Sequence, residues 1–242
     1  MRKNIDDPRR EFLVRALTMG LFAGGNLAGL FHPSHARGDI PEQLPPGRSI
    51  FKLEGSVTVD GKVANLDTQI GPNSIVRTGR NSRVIFVVDK DAFILRGNSE
   101  LEMGSSGGLI IEGMRIISGK ILSVFARREK PHTITTSTAT IGIRGTGIYL
   151  ESEPDRSYVC TCYGQTRIVA SANPGVSRDV VSEHHDYPVY VLAADGGDNL
   201  IVPGPFINHT NSELALIEAL VGRTIPFAYS GGGYGIPRKR SY

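Results

Sequence analysis

Between Ile75 and Leu95 the chain reads IVRTGRNSRVIFVVDKDAFIL. Two short runs inside it, Val84 to Val88 and Ala92 to Leu95, are continuously apolar and are separated by charged residues. Runs of that length, rich in β-branched and aromatic side chains, read as strands covered on both faces. Outward from this stretch the rhythm repeats. Apolar runs are punctuated by Gly55, Gly61, Gly71, Gly79, Gly97, Gly104, Gly113, Gly119 and Gly145. Turn signals so closely spaced, with no long stretch of helical period, predict an all-β sandwich, roll or solenoid from about residue 49 to residue 170. Val57 and Val59 alternate with polar neighbours ahead of Asp60-Gly61, the pattern of a hairpin with a tight left-handed turn. Thr133 to Thr140, with five threonines, predicts a strand with one wet face.

The remainder of the chain divides by composition. Residues 37–48 carry Pro41, Pro45 and Pro46 among charges and read as a linker. Residues 171–229 form a C-terminal extension, in which one short helix is predicted near 210–221. Thr210 and Glu213 make a capping box, Leu214, Ile217, Leu220 and Val221 share a face, and Gly222 supplies the stop. Residues 230–242 are glycine-rich and then basic, and read as a flexible tail. With 242 residues, 29 glycines, no tryptophan and 40% hydrophobic residues, the chain supports one domain rather than a multidomain enzyme or a polytopic membrane protein.

The first 36 residues read as an export signal. Arg9, Arg10, Phe12 and Leu13 open an apolar, glycine-bearing stretch, and Ser34 and Ala36 supply a small-x-small cleavage site. The R-R-x-F-L order resembles the twin-arginine type. An uncleaved membrane anchor is the alternative, but Arg15, Asn26 and the glycines make this stretch a poor spanning helix. Removing it leaves 22 basic residues against 21 acidic ones. So balanced a chain exerts no general pull on nucleic acid or anionic lipid. Arg238, Lys239 and Arg240 read as a solvated tail.

Three motifs carry a family resemblance. They are G-x-V-x-V-x-G at Gly55 to Gly61, I-V-R-T-G-x-N-S-R-V at Ile75 to Val84, and I-R-G-T-G-I-Y-L at Ile143 to Leu150. Together they resemble the periplasmic domain of the FecR family of iron dicitrate sensor proteins, over about half the chain. The resemblance implies a β-roll or β-helical sandwich with one short C-terminal α-helix. It also implies a non-catalytic sensing or binding role in the periplasm and leaves the partner open. A membrane or envelope protein is the expected partner, and the alternative to a metal-bearing sensor is a metal-free interaction module that contacts a membrane receptor or transporter. Regulators of that family carry a cytoplasmic anti-sigma region before a spanning helix. Here only eight residues precede Arg9, so the expectation is the extracytoplasmic half used alone, without direct control of a sigma factor and without a spanning helix once the signal is removed.

The candidate chemistry lies downstream. Cys160 and Cys162 are the only cysteines, and on an extended strand they point to one face. At about 6.6 Å apart they are too distant for the close Cβ approach a disulfide requires. Either the backbone bends or a third group bridges them. His184, His185 and His209 follow, and thiolate with imidazole suits zinc, copper or iron. Adjacent histidines on a strand face opposite ways, so one of His184 and His185 is expected to join the cysteines. The C-x-C spacing is not a standard zinc signature. The plainer reading makes both cysteines structural, with no cofactor. A nucleophilic reading, with Cys162 activated by His185 or His209 and oriented by Asp186, lacks any known motif. Gly107-Gly108 and Ser230 to Gly235 do not sit between a strand and a helix as phosphate loops do, and Arg144 reads as a structural arginine.

Overall fold

The computed structural model describes residues 43–105, 111–129, 132–194 and 199–227. The fold is all-β with a single short helix among these residues. Its strands are β1 (Ile50–Glu54), β2 (Val57–Val59), β3 (Lys62–Val63), β4 (Ile75–Thr78), β5 (Arg83–Val88), β6 (Asp91–Leu95), β7 (Glu100–Gly104) and β8 (Gly113–Val124). They continue as β9 (His132–Thr135), β10 (Ala139–Ile143), β11 (Gly147–Ser152), β12 (Arg156–Ala170), β13 (Ser177–Ser182), β14 (Val189–Leu192) and β15 (Ile201–Pro203). The helix is α1 (Asn211–Leu220).

Two long strands organise this set. The first half of β8 pairs with β7 and, in parallel, with β9, and its second half pairs with β6 and β11. The first half of β12 pairs with β11 and β14, and its second half with β10 and β13. Each therefore leaves one sheet and enters the other. The corner in β8 falls at Gly119 (φ 95°) and that in β12 at Gly164 (φ 90°), backbone conformations that side-chain-bearing residues avoid.

Strand alternation then builds two apolar layers. Val84, Phe86, Phe93, Leu95, Ile121, Leu150 and Val159 face the main core between the sheets. Their neighbours Ile85, Ile94, Leu122, Tyr149, Tyr158, Cys160 and Cys162 face the other way, into a second cluster with Leu214, Ile217 and Leu220 of α1. Continuous hydrophobicity at Val84 to Val88 and Ala92 to Leu95 thus reflects burial on both faces.

The hairpin at Asp60-Gly61 forms as the sequence predicts, with φ of 52° and 78° at its two loop residues. Thr133 to Thr140 departs from the prediction, because it is a hairpin and not one strand. Thr136 closes the turn by bonding backbone to the Ala139 carbonyl (2.9 Å) and by accepting from the Ala139 amide (3.0 Å). Short hydroxyl side chains compete for the backbone in this way and favour turns over strands. Nor do the strands stop at residue 170, since β13, β14 and β15 extend the same sheets.

Helix α1 begins at the predicted capping box, with Thr210 accepting from the Glu213 amide and Glu213 accepting from the Thr210 amide at 3.0 Å. Arg96 anchors Glu213 at 2.9 Å. Gly222 (φ 71°) ends the helix. Residues of the predicted linker reach this end, where the Leu44 amide donates to the Leu220 carbonyl at 3.0 Å. No helix among the described residues is long and apolar enough to cross a membrane. The expected signal residues Arg9, Arg10, Phe12, Leu13 and Ala36, the pair Gly107-Gly108 and the tail 230–242 lie outside the described residues.

Candidate metal centre

Positions 158, 160 and 162 share the outer parity of β12, so both thiols project toward α1 and away from the main core. Strand β11 holds one edge of β12, pairing Tyr149 with Cys160. On the other edge β14 extends only as far as Val159, and β13 begins at Gly164. The gap is filled by a loop, whose His185 amide donates to the Cys162 carbonyl at 2.8 Å. That loop is tied by Asp186, which accepts from the Glu183 and His184 amides at 3.0 and 3.3 Å. His185 itself takes the left-handed conformation (φ 56°), which carries its ring inward. The fourth group arrives after β15. Tyr158 donates to the Pro205 carbonyl (2.7 Å) and Asn208 to the Glu151 carboxylate (2.6 Å), and these bonds place His209 over the cysteines.

The four donor atoms of Cys160, Cys162, His185 and His209 lie within 4.8 Å of one another, and all four residues are buried. His185 Nδ1 is 3.1 Å from His209 Nε2. Cys160 Sγ is 3.7 Å from His185 Nδ1, and Cys162 Sγ is 3.4 Å from His209 Nε2. A tetrahedral zinc, with bonds of about 2.3 Å to sulfur and about 2.0 Å to nitrogen, sets its two nitrogens about 3.3 Å apart and each sulfur about 3.6 Å from a nitrogen. These three spacings lie within a few tenths of an ångström of those values, while the full spread of the four donors, up to 4.8 Å, is wider than the about 3.8 Å between two sulfurs on one tetrahedral zinc, so the ion would draw the donors together.

Hydrogen-bond partners assign the tautomers. His185 Nε2 lies 2.8 Å from Asn211 Oδ1, and His209 Nδ1 lies 2.7 Å from the Ile207 carbonyl. Both partners are acceptors, so each ring carries its proton on the outer nitrogen and turns a lone pair inward. Two lone pairs facing at 3.1 Å repel unless a cation or an extra proton lies between them. This is the arrangement of metal-ligating histidines, whose outer nitrogen is held by a second acceptor. Tyr149 stacks on His209 at 4.5 Å, and Phe206 sits 4.5 Å from His185 and 4.6 Å from His209, so the surroundings are aromatic and dry.

The thiols are split by this environment. Burial opposes ionisation of both. Cys160 is nevertheless held well below the ordinary thiol range, chiefly by its hydrogen bond with Cys162, whereas Cys162 is pushed well above it by burial and by the adjacent Cys160.

Of the five residues singled out from the sequence, four converge and His184 does not. Its Nε2 accepts from Asn211 Nδ2 at 3.0 Å, and its ring lies 4.4 Å from Phe227. The nucleophilic reading loses its third member, because the Asp186 carboxylate binds backbone amides of its own loop. Asn211 and Tyr149 carry no sequence signal for their place beside the histidines. Asn211 is distinguished only as the first residue of α1, and Tyr149 only by the parity of β11.

No family model matches the chain, and no curated protein sequence matches it. Two crystal structures of a candidate anti-sigma factor from Parabacteroides distasonis share 13% identity over 54% of this chain and 58% of theirs, with a TM-score of 0.44. The chain thus spans little more than half the length of that protein.

Proposed function

We propose that this chain is an exported, non-catalytic sensing or binding module of the FecR kind, whose C-terminal segment is fixed to the β-core by a structural zinc ion. Cys160, Cys162, His185 and His209 hold the ion. The observation that carries the metal reading is the pair of imidazoles turned lone pair to lone pair at 3.1 Å, with both outer nitrogens already engaged. Four protein donors close the coordination sphere and leave no position for water or substrate, which marks structural rather than catalytic sites. With neither sulfur exposed, a covalent substrate could not reach them. Sulfur and nitrogen in a tetrahedron favour zinc, while copper(I) and iron accept the same donors.

The sensing role rests on the motifs at Gly55 to Gly61, Ile75 to Val84 and Ile143 to Leu150. The partner that the resemblance suggests is an envelope or membrane protein, and a charge balance of 22 against 21 gives nucleic acid no electrostatic hold. Elemental analysis of protein purified from its own cell envelope tests the metal, and mass spectrometry of the intact chain tests removal of the first 36 residues. About one zinc per chain, falling below about 0.2 in Cys160→Ser, is the expected result. A metal-poor wild-type protein that is indistinguishable from Cys160→Ser would end the metal reading.

A further inference from the structure

We infer that the metal centre is a zinc-responsive latch: its occupancy sets whether α1 and the residues just before it stay closed over the outer face of the sheet. The inference rests on the metal reading and gives that site a regulatory role. Its basis is the unequal placement of the ligands. Cys160 and Cys162 belong to β12, which is paired with β11 beside them and with β14 and β13 above and below. His209 instead precedes the helix cap Thr210 directly, and His185 reaches the helix through Asn211. Two donors therefore belong to the rigid sheet. One sits on the peripheral segment itself, and the other is wired to its first helical residue.

That wiring couples zinc to the helix. With zinc, both inward lone pairs are used, and the bonds to Asn211 Oδ1 and the Ile207 carbonyl hold. Without it, the inward nitrogens are left to each other at 3.1 Å and to the two thiols at 3.4 and 3.7 Å, weaker partners that leave either ring free to rotate. Rotation of His185 breaks its bond to Asn211, and rotation of His209 breaks its bond to Ile207. Either loss falls within four residues before or at the start of α1. Beneath α1 lie Ile85, Ile94 and Leu122, an apolar surface on the sheet that opening would expose. The segment keeps other anchors to the sheet, chiefly Arg96 to Glu213 and Tyr163 to Glu218, so release is local and the sheets persist.

The test is hydrogen–deuterium exchange on the full chain, dialysed against chelator and then titrated with zinc alone, comparing amides of 205–222 with those of 84–95. The expected result is at least about 10-fold slower exchange in 205–222 on zinc binding, with 84–95 unchanged. Asn211→Ala separates latch from ligand set. It retains all four donors, so zinc still binds, weakened about 10- to 100-fold, but the zinc-dependent protection of α1 disappears. Asn211→Asp, which restores an acceptor for His185, recovers it. Zinc binding with no change in 205–222, equal slowing throughout the chain, or full zinc-dependent protection in Asn211→Ala overturns the latch and leaves the metal site standing. Failure of zinc to bind the wild-type chain overturns both.

Discussion

At residue scale the decisive positions are those where chemistry and backbone geometry coincide. Gly164 turns β12 from one sheet into the other, and a Cβ there would lie 2.7 Å from the Gly145 carbonyl oxygen. Gly164→Ala adds that overlap to left-handed strain, so we expect a loss of about 2–3 kcal/mol in urea unfolding. His132 is a second such position. It is buried beside Arg128, which itself pairs with Asp91 and Asp89 at 2.8 Å. Burial first, and then Arg128, depress the pKa of His132, against an opposing pull from Asp91. A depressed histidine is neutral in the fold. Its contribution is complete above the unfolded value of about 6.5 and is lost as pH falls from there toward the folded pKa. The wild-type Tm should therefore drop more between pH 7.5 and 5.5 than that of His132→Gln, measured at saturating zinc; equal slopes would contradict this. The Asp91 carboxyl, raised by burial, is common to both proteins.

At the scale of elements, α1 depends on its cap and its apolar face, and the proposed ligand His209 lies just before it. Leu214, Ile217 and Leu220 are buried against the sheet, and each contributes about 1.5–3 kcal/mol of transfer free energy. The capping box joins this packing to the metal centre, since Thr210 lies between His209 and Asn211. Thr210→Ala should cost about 1 kcal/mol by denaturant titration while leaving zinc stoichiometry unchanged; loss of the metal in that variant would show that cap and ligand are one unit. The helix was readable from the sequence, because capping boxes and apolar spacing are local signals. The hairpin of β9 and β10 was not, since threonine runs suit both strands and hydroxyl-bonded turns, and only the pairing of β9 with β8 and of β10 with β12 separates the two.

At the scale of the whole molecule, two sheets share the long strands β8 and β12, and the proposed metal site joins the last segment to their outer face. Zinc at about 1,000 times its dissociation constant adds about 4 kcal/mol of stability. For a domain of this size that is on the order of 10 °C in Tm. Differential scanning calorimetry with and without chelator should show a shift of this order in the wild type and none in a Cys160→Ser, His209→Ala double variant. A chelator shift equal in both would assign the effect to another site.

The sequence by itself determined what local chemistry can encode: the β class, through turn glycines and continuous apolar runs; the Asp60-Gly61 hairpin; the capped helix; and a single-faced thiol pair at Cys160 and Cys162. Tertiary structure alone decided the partnership. His185 was chosen over His184 by its own left-handed backbone in a loop that fills the gap between β13 and β14 on the edge of β12. His209 arrives 47 positions after Cys162 because β13, β14 and β15 return the chain to the same face. Contacts at such separations depend on where every intervening strand pairs, and that pairing is fixed by burial of the whole core rather than by any neighbouring residue.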